Sequence, residues 1–308
     1  MIIDPMYRAQ VSLLLSVLPY VAKETDFALK GGTAINLFVR DMPRLSVDID
    51  LTYVGFESRD VALKRISEAL GRIKQAVSAG NSGISAEIVQ QSDGSEAKLT
   101  CKLGAAQIKI EVNTTIRGTL FPTRMIQISD AVQSEFSKFA AIAVVSNAEL
   151  YGGKICAALD RQHPRDLFDV YHLLENEGFS DPIRQGFIAL LLSGNRPIHE
   201  MIDPQFQDQR SAFETQFAGM SLSPFTYDDF EITRKRLVKE IHTHLTKQDR
   251  QFLLSFKTGN PDWSLFPVAT LAEMPAVKWK LLNLQKFIAQ NPSKHAEQYE
   301  KLKKVLAQ

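Results

Sequence analysis

Two aspartates, Asp48 and Asp50, lie two residues apart in a stretch, residues 45–52, whose side chains alternate between apolar and polar. Such alternation predicts a β-strand with one buried face, and both aspartates then project from the opposite, polar face. Carboxylate oxygens that converge on one point are the ligands with which proteins hold Mg²⁺ on phosphates. The pair therefore predicts a metal site, although an ordinary polar strand face would also explain two aspartates taken alone.

A third acidic residue, Glu111, lies in a second alternating stretch, residues 107–114. The apolar positions of that stretch share one face, which leaves Glu111 on the polar face. Two-metal transfer of phosphoryl or nucleotidyl groups uses a further carboxylate to hold two ions about 3.5–4 Å apart. The sequence therefore predicts that Asp48, Asp50 and Glu111 bind Mg²⁺ or Mn²⁺, and that Glu111 polarises an attacking hydroxyl.

A glycine pair precedes the aspartates. Gly31 and Gly32, followed by Thr33, stand between a short apolar strand and a predicted helix. Glycines at such a junction let backbone amides approach a phosphate, and the helix N-terminus adds a favourable dipole. Ser46 lies on the same strand face as Asp48 and could donate its hydroxyl to the same phosphates. A tight turn and an ordinary strand serine are the alternative interpretations.

These residues resemble the first two motifs of the polymerase-β-type minimal nucleotidyltransferases. The resemblance to the first motif rests on Gly31-Gly32-Thr33 followed by Arg44-x-Ser46-x-Asp48-x-Asp50. The resemblance to the second rests on Lys109-Ile110-Glu111-Val112-Asn113.

A third motif narrows the resemblance to the abortive-infection nucleotidyltransferase toxins of the AbiEii/AbiGii type. It consists of Lys154 followed by Arg161-x-x-x-Arg165-Asp166-x-x-Asp169. The family implies that Lys154 and an aspartate of this motif are needed for activity, for which Asp169 is the candidate and a bracing role its alternative. It also implies that Lys154 contacts the nucleotide and that Arg165 helps to neutralise the triphosphate, with Asp166 as a further nucleotide-binding candidate. A structural salt-bridge cluster is the alternative interpretation of these charges.

The resemblance implies metal-dependent transfer of a nucleoside monophosphate from an NTP to an acceptor hydroxyl, with release of pyrophosphate. The acceptor it implies is an RNA, expected to be the 3′ end of tRNA. It also implies the toxin role in a toxin–antitoxin or phage-defence system, and hence a cognate antitoxin as partner.

Two other functions fit parts of the sequence. The run Asp48-Ile49-Asp50-Leu51-Thr52 matches the D-x-D-x-T of haloacid-dehalogenase-type phosphatases. That fold, however, has a longer apolar strand before the first aspartate and gives Gly31-Gly32 no role. The second alternative is a non-catalytic nucleotidyltransferase-like binding protein, against which the intact set of acidic and basic residues argues.

Composition and patterning indicate how the chain is organised. The 308 residues carry a formal net charge of +1, and two isolated cysteines offer neither a zinc site nor a disulfide framework. With no apolar run long enough to span a bilayer and no signal peptide, we expect a cytoplasmic protein without a membrane partner. We predict an α+β fold: a small mixed sheet flanked by helices in a nucleotidyltransferase domain, residues 1–180, then a helical domain, residues 181–308.

Periodicity and turn residues predict the individual elements. Predicted strands cover residues 27–30, 45–52, 84–90, 97–103 and 107–114, with turns at 79–83 and 92–95. Predicted helices cover residues 7–22, 33–40, 60–77, 147–162 and 164–178, followed by candidate helical segments at 190–192, 213–217, 232–244 and 279–306.

Overall fold

The computed structural model describes residues 4–80, 83–90 and 96–307. The chain divides into two compact units. Unit 1 comprises Met1–Ser146 and Gly219–Pro224, and unit 2 comprises Asn147–Ala218 and Phe225–Gln308.

Unit 1 is built on one mixed sheet, which within the described residues has seven strands in the order β3-β4-β5-β2-β1-β7-β6. Its strands are β1 (Phe27–Lys30), β2 (Asp48–Tyr53), β3 (Ser85–Val89), β4 (Lys98–Leu103), β5 (Ala106–Asn113), β6 (Arg124–Gln127) and β7 (Ala141–Val144). β2 pairs in parallel with β5, and β1 in parallel with β7, whereas the other pairs are antiparallel. The predicted α+β class with a mixed sheet is confirmed.

Unit 1 also contains helices. They are α1 (Pro5–Val21), α2 (Gly31–Thr33, continued by a π-helical segment, Ala34–Val39), α3 (Arg59–Gly80) and α4 (Asp130–Phe136). The buried side chains of α1 recur at helical spacing, and this helix packs against β5 and β7, while α3 packs against β3 and β4. The alternating residues of β2 and β5 therefore bury their apolar side chains and leave the acidic ones on the other face.

Unit 2 is helical. Its helices are α5 (Asn147–Asp160), α6 (Pro164–Asn176), α7 (Asp181–Ser193), α8 (Ile198–Ile202), α9 (Arg210–Gln216), α10 (Tyr227–His244), α11 (Lys247–Lys257), α12 (Pro275–Gln290) and α13 (Pro292–Leu306). α5 packs closely against both α6 and α7. His163 caps α6, because its Nδ1 accepts a hydrogen bond from the backbone amide of Arg165. Among the described residues, no helix combines the length and the apolar character needed to cross a membrane.

Several predicted boundaries differ from the structure. The strand predicted from residue 45 begins at Asp48, because Arg44 and Leu45 pair with Ser221 and Met220 instead. The helix predicted over 279–306 is two helices, α12 and α13, divided where Pro292 cannot continue the hydrogen-bond ladder.

Other elements were absent from the prediction, or lie where the structure gives no description. β6, α4 and β7 were not predicted. The turn predicted at 92–95 and part of the turn at 79–83 lie outside the described residues. The predicted domain boundary at 180/181 falls inside unit 2, between α6 and α7. The functional division into residues 1–180 and 181–308 stays a prediction.

The contact between α5 and α7 depends on glycine. A Cβ added at Gly152 would lie 2.4 Å from the carbonyl carbon of Gly186 and 2.5 Å from the amide nitrogen of Phe187. We predict that Gly152→Ala lowers the free energy of unfolding by about 1–3 kcal/mol or more, because the added methyl group meets backbone. Urea denaturation measures the change.

Gly153→Ala is the matched control for Gly152→Ala. The two glycines are neighbours on α5, but the nearest atom to a Cβ at Gly153 is 4.0 Å away. Replacing an uncrowded helical glycine by alanine stabilises a helix by up to about 1 kcal/mol. Equal effects of the two substitutions would contradict the close approach of the helices at Gly152.

Candidate active site

The three predicted metal ligands lie on one face of two neighbouring strands. Asp48 and Asp50 begin β2 and are partly buried. The parallel pairing of β2 with β5 places Asp50 directly beside Glu111, and Asp48 beside Lys109. Because residues paired in register point to the same face of a sheet, the carboxylates of Asp50 and Glu111 are neighbours.

Two lysines extend this row of charges on both sides. Lys30, the last residue of β1, pairs in register with Asp50, and Lys98, the first residue of β4, pairs with Glu111. The ammonium group of Lys98 forms an ion pair with the Glu111 carboxylate. We call Lys30, Asp50, Glu111 and Lys98 the charge row. The two lysines were not predicted as site residues, because only the strand pairing reveals that they stand beside the carboxylates.

Gly31 makes room for Asp50. Its φ of +75° lies in the left-handed region that favours glycine, and an added Cβ would lie 2.5 Å from Oδ2 of Asp50. The glycine turn and the acidic strand therefore pack against each other so closely that a side chain at Gly31 would displace the carboxylate.

Gly32 makes room for two other polar side chains. A Cβ there would lie 2.7 Å from Nη2 of Arg44 and 2.9 Å from Oγ of Ser46. Arg44 is buried, and its Nη1 donates a hydrogen bond of 2.9 Å to the carbonyl of Leu45. Arg44 was part of the motif but not among the predicted site residues. Its buried guanidinium beside the glycine pair makes it a further candidate.

Thr33 links the glycine turn to β2. The side chain is fully buried, and its hydroxyl donates to the backbone carbonyl of Asp48. The same hydroxyl lies 3.0 Å from the hydroxyl of Ser46. These contacts hold the turn against the first residue of the acidic strand, so Thr33 positions the site from within the protein.

The remaining predicted site residues lie in unit 2, where Lys154, Asp166 and Asp169 form a buried charged cluster. Nζ of Lys154 is 2.8 Å from Oδ1 of Asp166 and 3.0 Å from Oδ2 of Asp169, and all three side chains are at most 7% exposed. Arg161 forms a second ion pair with Asp166. Burial acts to raise the pKa of Asp166, but the positive charges of Lys154 and Arg161 outweigh it and hold that pKa well below its ordinary value.

Arg165 stands at the first turn of α6 and is partly buried. Its backbone amide donates the capping hydrogen bond to Nδ1 of His163. Nε2 of the same histidine lies 3.1 Å from Oε1 of Gln216. Burial lowers the pKa of His163, which favours the neutral imidazole that can accept the capping hydrogen bond.

A family comparison decides what kind of protein carries these two groups of residues. The family described as nucleotidyl transferase AbiEii toxin, type IV TA system, matches residues 12–283. The chain belongs to this family. It is thus a nucleotidyltransferase toxin of a type IV toxin–antitoxin system, and the phosphatase alternative is set aside.

The fold is also that of a solved member of the same functional class. The chain is similar to MenT4, a nucleotidyltransferase toxin from Mycobacterium tuberculosis H37Rv, with a TM-score of 0.61 and 15% sequence identity. The similarity covers 90% of this chain and 93% of MenT4. No curated protein matches the chain.

The carboxylates of this toxin fit the divalent metal that nucleotidyltransferases generally use. Asp48, Asp50 and Glu111 supply hard oxygen ligands, which are the ligands that Mg²⁺ prefers. Within the described residues, no three His, Cys, Asp or Glu side chains already stand close enough to hold an ion. Glu111 is instead engaged by Lys98. The donor set and the space left by Gly31 therefore fit the metal, and Glu111 would have to leave Lys98 to join it.

We predict that Gly31→Ala weakens metal binding, whereas its loss of stability is no larger than that of a comparable glycine substitution elsewhere. The Asp50 carboxylate can rotate away from the added methyl group, so the substitution moves a ligand rather than unfolding the sheet. Gly104→Ala is the matched control, since Gly104 also has positive φ, +57°, but nothing within 4 Å of an added Cβ. Both variants should lose about 1–2 kcal/mol of stability to backbone strain.

Mn²⁺ binding, followed by the electron paramagnetic resonance signal of the free ion, separates the two glycine variants. Weaker binding is expected for Gly31→Ala alone. If Gly104→Ala weakened Mn²⁺ binding as much, the contact between Gly31 and Asp50 would not be the cause.

We predict that Lys154→Met destabilises unit 2 by about 3–5 kcal/mol at pH 7, because it leaves buried carboxylates without their cation. In the wild type, the pKa of Asp166 is lower in the folded protein than in the unfolded chain. This difference stabilises the fold at pH values above the pKa of an unfolded aspartate, and the stabilisation is lost as the pH falls further. In the variant the buried carboxyls favour the protonated form. The difference between the two proteins should therefore shrink as the pH falls from 7 to 5.

Urea denaturation at the two pH values tests this prediction for Lys154. Lys278→Met is the control, because Lys278 forms an ion pair with Glu273 in which both side chains are more than half exposed. Exposed pairs contribute at most about 1 kcal/mol. If Lys154→Met lowered the free energy of unfolding as little as the control does, the result would contradict a buried ion pair.

Proposed function

We propose that this toxin transfers a nucleoside monophosphate from an NTP to a hydroxyl of an RNA, with Mg²⁺ or Mn²⁺ as cofactor and release of pyrophosphate. The observation that carries the proposal is the register of β2 and β5, in which Glu111 stands beside Asp50 on the face that also bears Asp48. Three carboxylates on one face, next to a glycine turn, match the needs of a metal-bound triphosphate.

Asp48, Asp50 and Glu111 are the residues that would hold the metal. When bound, the metal neutralises the phosphates and the charge that develops during transfer. Glu111 would also accept a hydrogen bond from the attacking hydroxyl and so increase its nucleophilicity. In-line positioning and electrostatic stabilisation would supply most of the rate.

The glycine turn would bind the phosphates of the nucleotide. Backbone amides of Gly31, Gly32 and Thr33, with the hydroxyl of Ser46, would donate hydrogen bonds to phosphate oxygens, since the two glycines carry no side chains of their own. We assign phosphate or base contacts to Lys154 and Arg165. Asp166 and Asp169 would orient the ammonium group of Lys154, to which both are paired, and the family resemblance makes Asp169 essential.

Family membership supports the remaining parts of the proposal. A toxin of a type IV toxin–antitoxin system implies a cognate antitoxin. We propose that the acceptor is the 3′ end of tRNA, so that its modification blocks translation and can serve phage defence. Substrates of this kind, NTP and tRNA, would place the protein in the cytoplasm.

We predict that Asp50→Asn lowers the rate of transfer by at least about 100-fold, since loss of even an outer-shell partner of a metal site costs about 10–100-fold. The assay incubates protein with each α-³²P-labelled NTP, tRNA and Mg²⁺, and follows label in RNA. Label carried into RNA by the wild type supports transfer. Unlabelled RNA together with inorganic phosphate, measured separately by a colorimetric assay, would contradict it.

Glu87→Gln is the matched control for Asp50→Asn. Through Thr100 and Lys109, Glu87 lies in the same register row as Asp48, but three strands away, at about 4.8 Å per strand. It should leave transfer unchanged.

Expression of the wild type without an antitoxin should arrest bacterial growth, and Asp50→Asn should relieve the arrest. Equal toxicity of the two proteins would favour a non-catalytic binding protein.

A further inference from the structure

The charge row brings two carboxylates together and places a cation at each end. Lys30, Asp50, Glu111 and Lys98 belong to four neighbouring strands and are paired in register. Neighbouring strands lie about 4.8 Å apart, so Asp50 and Glu111 are close enough to repel each other. The two lysines give the row as many positive as negative charges.

Lys98 has a defined partner in this row. Its two register neighbours are Val89 on β3 and Glu111 on β5, and its ammonium group contacts the Glu111 carboxylate. The side chain of Lys98 is 26% exposed and that of Glu111 is 43% exposed. Solvent therefore reaches this pair, so another cation can replace the ammonium group of Lys98 beside Glu111.

We propose that Lys98 is a positioning residue that occupies Glu111 in the metal-free protein and competes with the divalent cation for it. This inference rests on the proposed function. A metal ion that takes Glu111 as a ligand must displace the ammonium group of Lys98. Lys98 thereby keeps the two carboxylates neutralised in the absence of metal, and it weakens metal binding in its presence.

The alternative is an ordinary surface ion pair, which contributes little to stability and has no effect on a ligand. Lys102 provides the comparison within the same strand. It lies four residues from Lys98 on the same face of β4, about 13 Å along the strand, and pairs in register with Gln107. At 0.15 M salt the Debye length is about 8 Å, so the charge of Lys102 is largely screened from Glu111.

The experiment compares Lys98→Met with Lys102→Met, which change the net charge equally. Mn²⁺ is titrated into each metal-free protein at 0.15 M salt, and the free ion is followed by electron paramagnetic resonance. Removal of the competing charge should lower the dissociation constant of Lys98→Met by about three- to tenfold. Lys102→Met should bind Mn²⁺ as the wild type does.

A second measurement follows thermal unfolding with and without Mn²⁺. The melting temperature of metal-free Lys98→Met should fall below that of Lys102→Met, because Asp50 and Glu111 are then less well neutralised. Saturating Mn²⁺ should raise the melting temperature of Lys98→Met more than that of the control. Lys98→Arg, which keeps the charge, should restore wild-type behaviour in both measurements.

The outcomes separate this inference from the proposed function. If wild-type Mn²⁺ binding is lost in Asp50→Asn but Lys98→Met binds as the control does, only the role of Lys98 is overturned. Weaker binding by Lys98→Met would also overturn it, since Lys98 would then support the bound metal rather than compete with it. If the wild type does not bind Mn²⁺ through Asp50, the metal site and the role of Lys98 are both overturned.

Discussion

Parallel pairing of β2 with β5 sets the carboxylates of Asp50 and Glu111 side by side. The other residues of the candidate site depend on this pairing, because they must compensate the repulsion between the two negative charges. Like charges at neighbouring positions of a sheet destabilise it unless a cation lies near. In this protein Lys98 and Lys30 flank the pair in register. Gly31 completes the arrangement, because a side chain at this position would collide with the Asp50 carboxylate next to the turn.

The register that creates this repulsion is held by the opposite face of the same strands. Ile49 and Ile110 are fully buried neighbours, one residue before Asp50 and Glu111, and helix α1 packs against β5. A slip of one residue would expose these apolar side chains and bury the acidic ones. Burial of the hydrophobic core of unit 1 therefore offsets the repulsion between the two carboxylates. Functional sites commonly contain such unfavourable contacts, which the rest of the fold compensates.

Alternation of apolar and polar residues was sufficient to predict strands at β2 and β5 and to place Asp48, Asp50 and Glu111 on the polar faces of their own strands. It could not predict β6 and β7, because four residues are too few to show a period and Met125 of β6 is 68% exposed. It also could not reveal Lys30 and Lys98. Their positions depend on which strands pair and in which register, and a single sequence does not contain that information.

The two units neutralise clustered carboxylates in different ways. In unit 2, Lys154 and Arg161 balance Asp166 and Asp169, and the ammonium group and both carboxylates are buried. Breaking such a buried cluster is costly. In the charge row of unit 1, Lys98 and Glu111 are both partly exposed. A pair that water already reaches can exchange its lysine for another cation at a smaller cost than a buried pair can.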